Sequence, residues 1–270
     1  VPGASLSVAR YALAATGNST HGYFGGGFPG PRTTMDKVTY ISDTRSTVPG
    51  ASLSGARSYL AATGNSTAGY FGGGAPGPLT TMDKVTYASD TTAQVPGASL
   101  SALRDSLAAT GNSTAGYFGG GSPGPRSTMD KVTYASDTTA AVPGASLSVA
   151  RYALAATGNS THGYFGGGFP GLRSTMDKVT YASDTTAQVP GASLSVAIYR
   201  LAATGNSTAG YFGGGVASSS PGIISTMDKV TYASDTRSTV PSAFLSAARY
   251  YLAASSARAN ALPGTTSNNV

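Results

Sequence analysis

Apolar and polar positions follow one another in short bursts along this chain, and the same bursts return on a fixed beat. Gly22-Tyr23-Phe24-Gly25-Gly26-Gly27 comes back from Gly69, Gly116, Gly163 and Gly210, a period of 47 residues that never slips. A fixed period of this size marks a propeller or a solenoid, in which each unit hides its apolar face against the next copy. One unit holds four short segments, at residues 9–18, 22–27, 35–40 and 48–54, each bounded by Gly, Asn, Asp or Pro. Segments of this length with such boundaries predict four strands joined by turns. In the third, Val38 and Tyr40 fall on one face and Met35, Lys37 and Thr39 on the other. Tyr23 and Phe24 fall on opposite faces, so the second strand is expected to be buried on both sides, as in stacked blades. Leu13-Ala14-Ala15 has helical propensity, but Thr16-Gly17-Asn18 stops the run after roughly two turns, too short for a stable helix, so a strand is expected there too.

The order of features within a unit carries a resemblance. An apolar pair followed by Gly-Gly, a Tyr-bearing strand, a turn, a Pro-containing strand and then an Arg resembles the kelch repeat over nearly the whole chain. That resemblance implies one four-stranded propeller blade per unit. It departs where kelch repeats place a Trp, since the chain has none and Val48-Pro49 and its copies stand there. The near-identical copies are also similar to repeat-rich virion proteins of bacteriophage appendages. The expected architecture is all-β: a kelch-like β-propeller of about five four-stranded blades in one domain over residues 1–254. Repeats start near residues 1, 48, 95, 142 and 189, with a partial repeat from 240 and an irregular tail over 255–270. The loose end strands, residues 1–7 and 247–254, are expected either to pair as a two-stranded remnant of a sixth blade or to complete a neighbouring chain head to tail.

Composition narrows the function. Charged residues make up 10% of the chain, far below the usual quarter, so Ser, Thr and Asn carry its solubility. This habit points to an extracellular or virion-surface location. The formal charge is +6, yet the five lysines lie singly beside an Asp rather than in a basic stripe, which argues against nucleic acid. No apolar run is long enough to span a membrane as a helix. With no Cys, disulfides, thiol nucleophiles and the copper-bound Cys–Tyr group of kelch-type oxidases are excluded, and no cofactor or metal is expected. The first residues show no signal-peptide pattern and no initiating Met, so a processed or partial chain is expected.

Candidate chemistry is sparse. Arg10, Arg57, Arg104, Arg151 and Arg249 share one repeat position, which in a ring would face a rim of the central channel and offer an anion site for acidic sugars; the alternative is that each binds backbone carbonyls or an Asp between blades. The fifth copy breaks the set, with Ile198 in that place and Arg200 two residues later. All 11 acidic residues are Asp, ten of them at two repeat positions, but no loop gathers the several carboxylates calcium needs, and Ser-Asp-Thr turns fit Asx-turns. His21 and His162 lie in different units with no third ligand, and no Ser-His-Asp set is apparent, so catalysis is not expected. Asn18 and its copies begin Asn-Ser-Thr, a glycosylation acceptor or simply a Gly-Asn turn, and the turn is favoured. Positions that vary between copies are the better guide to exposure: Tyr11, Tyr59 and Tyr152 near the Arg, and Phe28 and Phe169 after the glycines, are candidates for stacking on sugars or on protein, the alternative being simple drift at unconstrained positions. The expected function is a non-catalytic structural or adhesive module acting through rim loops and chain ends, with other protein subunits or surface glycans as partners. A soluble carbohydrate-binding lectin with one shallow site per blade is the alternative.

Overall fold

A computed structural model describes residues 2–77, 79–217 and 222–255. It is a β-propeller of five blades, each a four-stranded antiparallel sheet in sequence order. Blade 1 consists of β1 (Ala14–Gly17), β2 (His21–Gly25), β3 (Met35–Thr39) and β4 (Thr44–Thr47). The inner strands of blades 2 to 5 are Ala61–Gly64, Ala108–Gly111, Ala155–Gly158 and Ala202–Gly205.

The Leu-Ala-Ala segment is an inner strand, not a helix. Its small side chains let the inner strands converge on a channel of about 120 Å³ lined by Ala14, Ala61, Ala108, Ala155 and Ala202. Tertiary packing thereby overrides the local propensity of alanine. The second strand is buried on both faces as its sequence implies. Tyr23 and Met35 of blade 1 share a core with Leu60, Phe71, Val85 and Tyr87 of blade 2, so Tyr points forward around the ring and Phe points back. Blades 2 and 3, 3 and 4, and 4 and 5 share equivalent cores.

Two expectations are corrected. The fourth strand is Thr44–Thr47 rather than residues 48–54; Pro49–Ala51 forms a single 3₁₀ turn instead. Proline has no N–H to give to a ladder, whereas Thr44–Thr47 forms the solvent-facing outer edge and needs no apolar residue. The two ends also do not pair as strands: Pro2–Ala4 is a 3₁₀ turn, and residues 247–255 contain no strand. Within a blade the first and fourth strands are separated by two others, so segments of these two types have no edge in common. Both ends nevertheless occupy the place of a sixth repeat. Ser7 donates its backbone N–H to Asp36 at 3.0 Å, as Ser54 does to Asp83 at 3.1 Å. Apart from Ser255, the expected tail lies outside the described residues.

Closure is made by the backbone. The amide of Tyr59 donates to Ala12 O, Ser106 to Tyr59, Ala153 to Ser106, Arg200 to Ala153, Tyr251 to Arg200 and Ala12 to Tyr251, all at 2.7–3.0 Å. These six residues form a closed hydrogen-bonded circle, one from each blade and the sixth from the C-terminal segment. All six are left-handed, with φ between 52° and 60°, a conformation that costs a side-chain-bearing residue energy and persists where its surroundings fix it.

Candidate binding site at the channel mouth

Each blade sets two variable positions side by side next to this circle. Tyr11 and Phe28 exchange backbone hydrogen bonds at 2.9 and 2.8 Å, as do Ser58 with Ala75, Asp105 with Ser122 and Tyr152 with Phe169. In blade 5 the equivalent pairing is Tyr199 with Val216. The varying side chains of a blade therefore sit together at one mouth of the channel.

They are not spread evenly. Blades 1 and 4 carry aromatic pairs, Tyr11 on Phe28 at 5.4 Å between ring centres and Tyr152 on Phe169 at 5.5 Å. Phe169 also touches Tyr199 at 5.6 Å, and Tyr11 stacks on Tyr251 at 6.0 Å. Tyr59 meets Tyr251 edge-on at 5.1 Å. Blades 2 and 3 present Ser58 with Ala75 and Asp105 with Ser122 instead. The aromatic surface is thus an arc over blades 4 and 5, the C-terminal segment and blade 1, with Tyr59 of blade 2 meeting it at Tyr251.

Arg200 sits within the arc, its guanidinium 4.5 Å from the Tyr251 ring centre and 4.7 Å from that of Tyr199. Burial pushes the Tyr251 phenol up to about 12, against the pull of the Arg200 charge. Burial also raises Tyr59, with Tyr11 adding to the shift. These phenols stay protonated at neutral pH. Tyr11, Phe28, Phe169 and Tyr250 are each 36–40% exposed, open enough for contact. The depression among the ring residues is only about 80 Å³, far below an ordinary small-molecule pocket, so a ligand would lie across the arc.

The arginines divide. Arg10, Arg57, Arg104 and Arg151 turn away from the channel into their own blades, where their guanidiniums meet Asp36, Asp83, Asp130 and Asp177 with almost no exposure. Each also donates to backbone carbonyls, Arg151 to Gly167 O at 3.2 Å and Phe165 O at 3.1 Å. They are brought to no common site. Arg249 alone of that set is exposed, donating to Ala247 O and Ser246 Oγ at 3.4 Å. In blade 5 Ile198 is buried where the others hold Arg, and the displaced cation, Arg200, reaches the arc. That two-residue displacement was the sequence signal for Arg200, whereas nothing local marked Tyr199, Tyr250 and Tyr251.

Most of the repeated Lys and turn Asp side chains tie neighbouring blades together. Lys37 meets Asp90 of the next blade at 2.7 Å, and Tyr23 donates to the same carboxylate at 2.5 Å. The turn Asp thus works across blades rather than on its own backbone. Asn18 Oδ1 accepts from the N–H groups of Thr20 and His21 at 2.9 Å, an Asx-turn closing the hairpin. His21 Nδ1 lies 2.8 Å from Thr20 Oγ1, and burial and Lys37 lower its pKa. No cluster of three potential metal ligands occurs among the described residues. No helix among them is long and apolar enough to cross a membrane. No protein-family model matches the sequence, and no curated protein matches it.

Proposed function

We propose that this propeller is a non-catalytic binding and structural module of a particle or cell surface, kelch-like in its blades, extracellular or virion-borne, and engaged through its rim loops and chain ends. The observation that carries this reading is the division of labour among side chains. Buried Arg–Asp and cross-blade Lys–Asp pairs take up most of the charge, while the aromatic arc is left open at one mouth. Aromatic groups with an adjacent Arg are the composition of a protein contact surface.

The lectin alternative draws on the same rings, which also suit stacking on sugars. One site per blade fits less well, because blades 2 and 3 lack the aromatic pair. The two readings part on one experiment. The purified chain and the double variant Tyr11→Ala/Tyr152→Ala are applied to a glycan array and to intact particles or cells of the native source. Retention on the surface protein of the source, lost in the variant and absent from the array, supports the module. Saturable binding of about one sugar per blade supports the lectin instead.

A further inference from the structure

Four seams between consecutive blades repeat one set of contacts, and together they define what such a seam requires. The Lys of one blade's third strand pairs with the turn Asp of the next, as Lys37 with Asp90 at 2.7 Å and Lys178 with Asp235 at 2.5 Å. The Tyr of the second strand donates to that Asp and stacks on the Tyr that ends the next third strand, Tyr23 on Tyr87 at 4.8 Å. In the first three seams the inner-strand Thr meets the same ring's hydroxyl, Thr16 with Tyr87 at 3.3 Å. The next blade's Phe fills the space over the Gly that ends the second strand: a Cβ on Gly25 would lie 3.1 Å from Phe71.

Between blade 5 and blade 1 the same groups stand on two walls without these counterparts among the described residues. Blade 5 presents Lys229 with no ion pair, Tyr211 with no stacked ring and Thr204, whose buried hydroxyl has no partner. No Phe lies over Gly213. The C-terminal segment presents Arg249, the one member of its set without an Asp. Blade 1 presents the exposed Asp43, whose equivalents Asp90, Asp137, Asp184 and Asp235 are all paired. Between the walls lies a cleft of about 600 Å³ lined by Leu6, Phe24, Tyr211, Met227, Leu245 and Leu252. Residues 256–270 contain no Asp, Glu, Tyr or Phe.

We propose that this seam is a docking site for β-strands of a partner chain that carry the chemistry of the repeat's own second to fourth strands. The incoming strands bring a Tyr-Phe pair between glycines, then Met-Asp-Lys-Val-Thr-Tyr, then a Ser-Asp turn. The strand Asp answers Arg249, the Lys answers Asp43, the final Tyr answers Thr204 and Tyr211, and the turn Asp answers Lys229. Apolar burial supplies affinity and the charges on opposite walls set register and direction. This deepens and rests on the binding-module reading by naming one partner chemistry; Tyr11 borders the cleft as well as the arc, so the test is made at Lys229 and Asp43, which lie outside the arc, and the two readings fail separately.

The test is a calorimetric titration of the full chain with a synthetic peptide of residues 159–188, which holds those strands in blade 4. One peptide per chain is expected. Lys229→Asp should weaken binding by about tenfold or more, and a peptide with Asp184→Lys should restore it. On the other wall, Asp43→Lys should be rescued by a peptide with Lys178→Asp. Absence of binding, several peptides per chain, or binding indifferent to both charge reversals overturns the proposal. Removal of residues 256–270 should leave affinity unchanged; a tenfold gain would show that the chain's own tail takes the seam and would overturn the partner assignment.

Discussion

The guanidinium of Arg104 and the carboxylate of Asp130 meet at 3.0 Å with neither side chain exposed to solvent. A buried charge that loses its partner keeps its desolvation cost, so Arg104→Met should lower stability by about 3–5 kcal/mol. Adding Asp130→Leu should recover most of that loss, because an apolar pair of similar volume carries no such cost. Urea unfolding of the single and double variants checks both. Blade 5 shows how a lone acid is kept: Asp228 accepts from Ser195 N and Oγ at 2.8 Å, with Arg237 at 3.8 Å.

Acid should loosen the contacts between blades. Burial opposes ionisation of Asp90, Asp137 and Asp235, but the hydrogen bonds from Lys37, Lys84 and Lys178 and from Tyr23, Tyr70 and Tyr164 overcome it and hold all three below the usual carboxylate value. A depressed native value means that the unfolded chain binds more protons near pH 4. This stability is therefore present in full above the unfolded value of about 3.9 and drains away as pH falls through the lower native values. Denaturant melts at pH 7, 5 and 3 should show little change over the first interval and a fall over the second. Lys84→Met should make the fall shallower.

Glycines at the seams are set by contact. A Cβ on Gly69 would lie 2.4 Å from Thr16 Cγ2 and 2.7 Å from the Tyr87 hydroxyl, whereas one on Gly55 meets nothing within 4 Å. Gly69→Ala should cost about 1–3 kcal/mol through overpacking. Gly55→Ala, with no clash and fewer unfolded conformations, should be neutral or stabilising by about 0.4–1 kcal/mol. Parallel thermal melts separate the two.

Much of this fold was legible because its cause is periodic. The 47-residue beat gave the blades, and Tyr23 beside Phe24 gave a strand buried on both faces. The fourth strand was misplaced because Val48 and Leu53 look like strand residues while Thr44–Thr47, at the outer edge, carries no apolar signal. The Arg position was visible, but its Asp lies 26 residues away across two turns, and no local pattern reports such a contact. Tyr11, Phe28, Tyr152 and Phe169 were marked by their variation. The arc they belong to depends on which blades are neighbours around a ring, which only closure decides.

Closure is tested most directly by amide hydrogen exchange, measured by NMR, at the six residues of the hydrogen-bonded circle. If the C-terminal segment completes the ring, the amides of Ala12 and Tyr251 should be protected alongside those of Tyr59, Ser106, Ala153 and Arg200. Protection at those four, with Ala12 and Tyr251 exchanging at the rate of a free peptide, would show an open array instead and contradict the closed propeller.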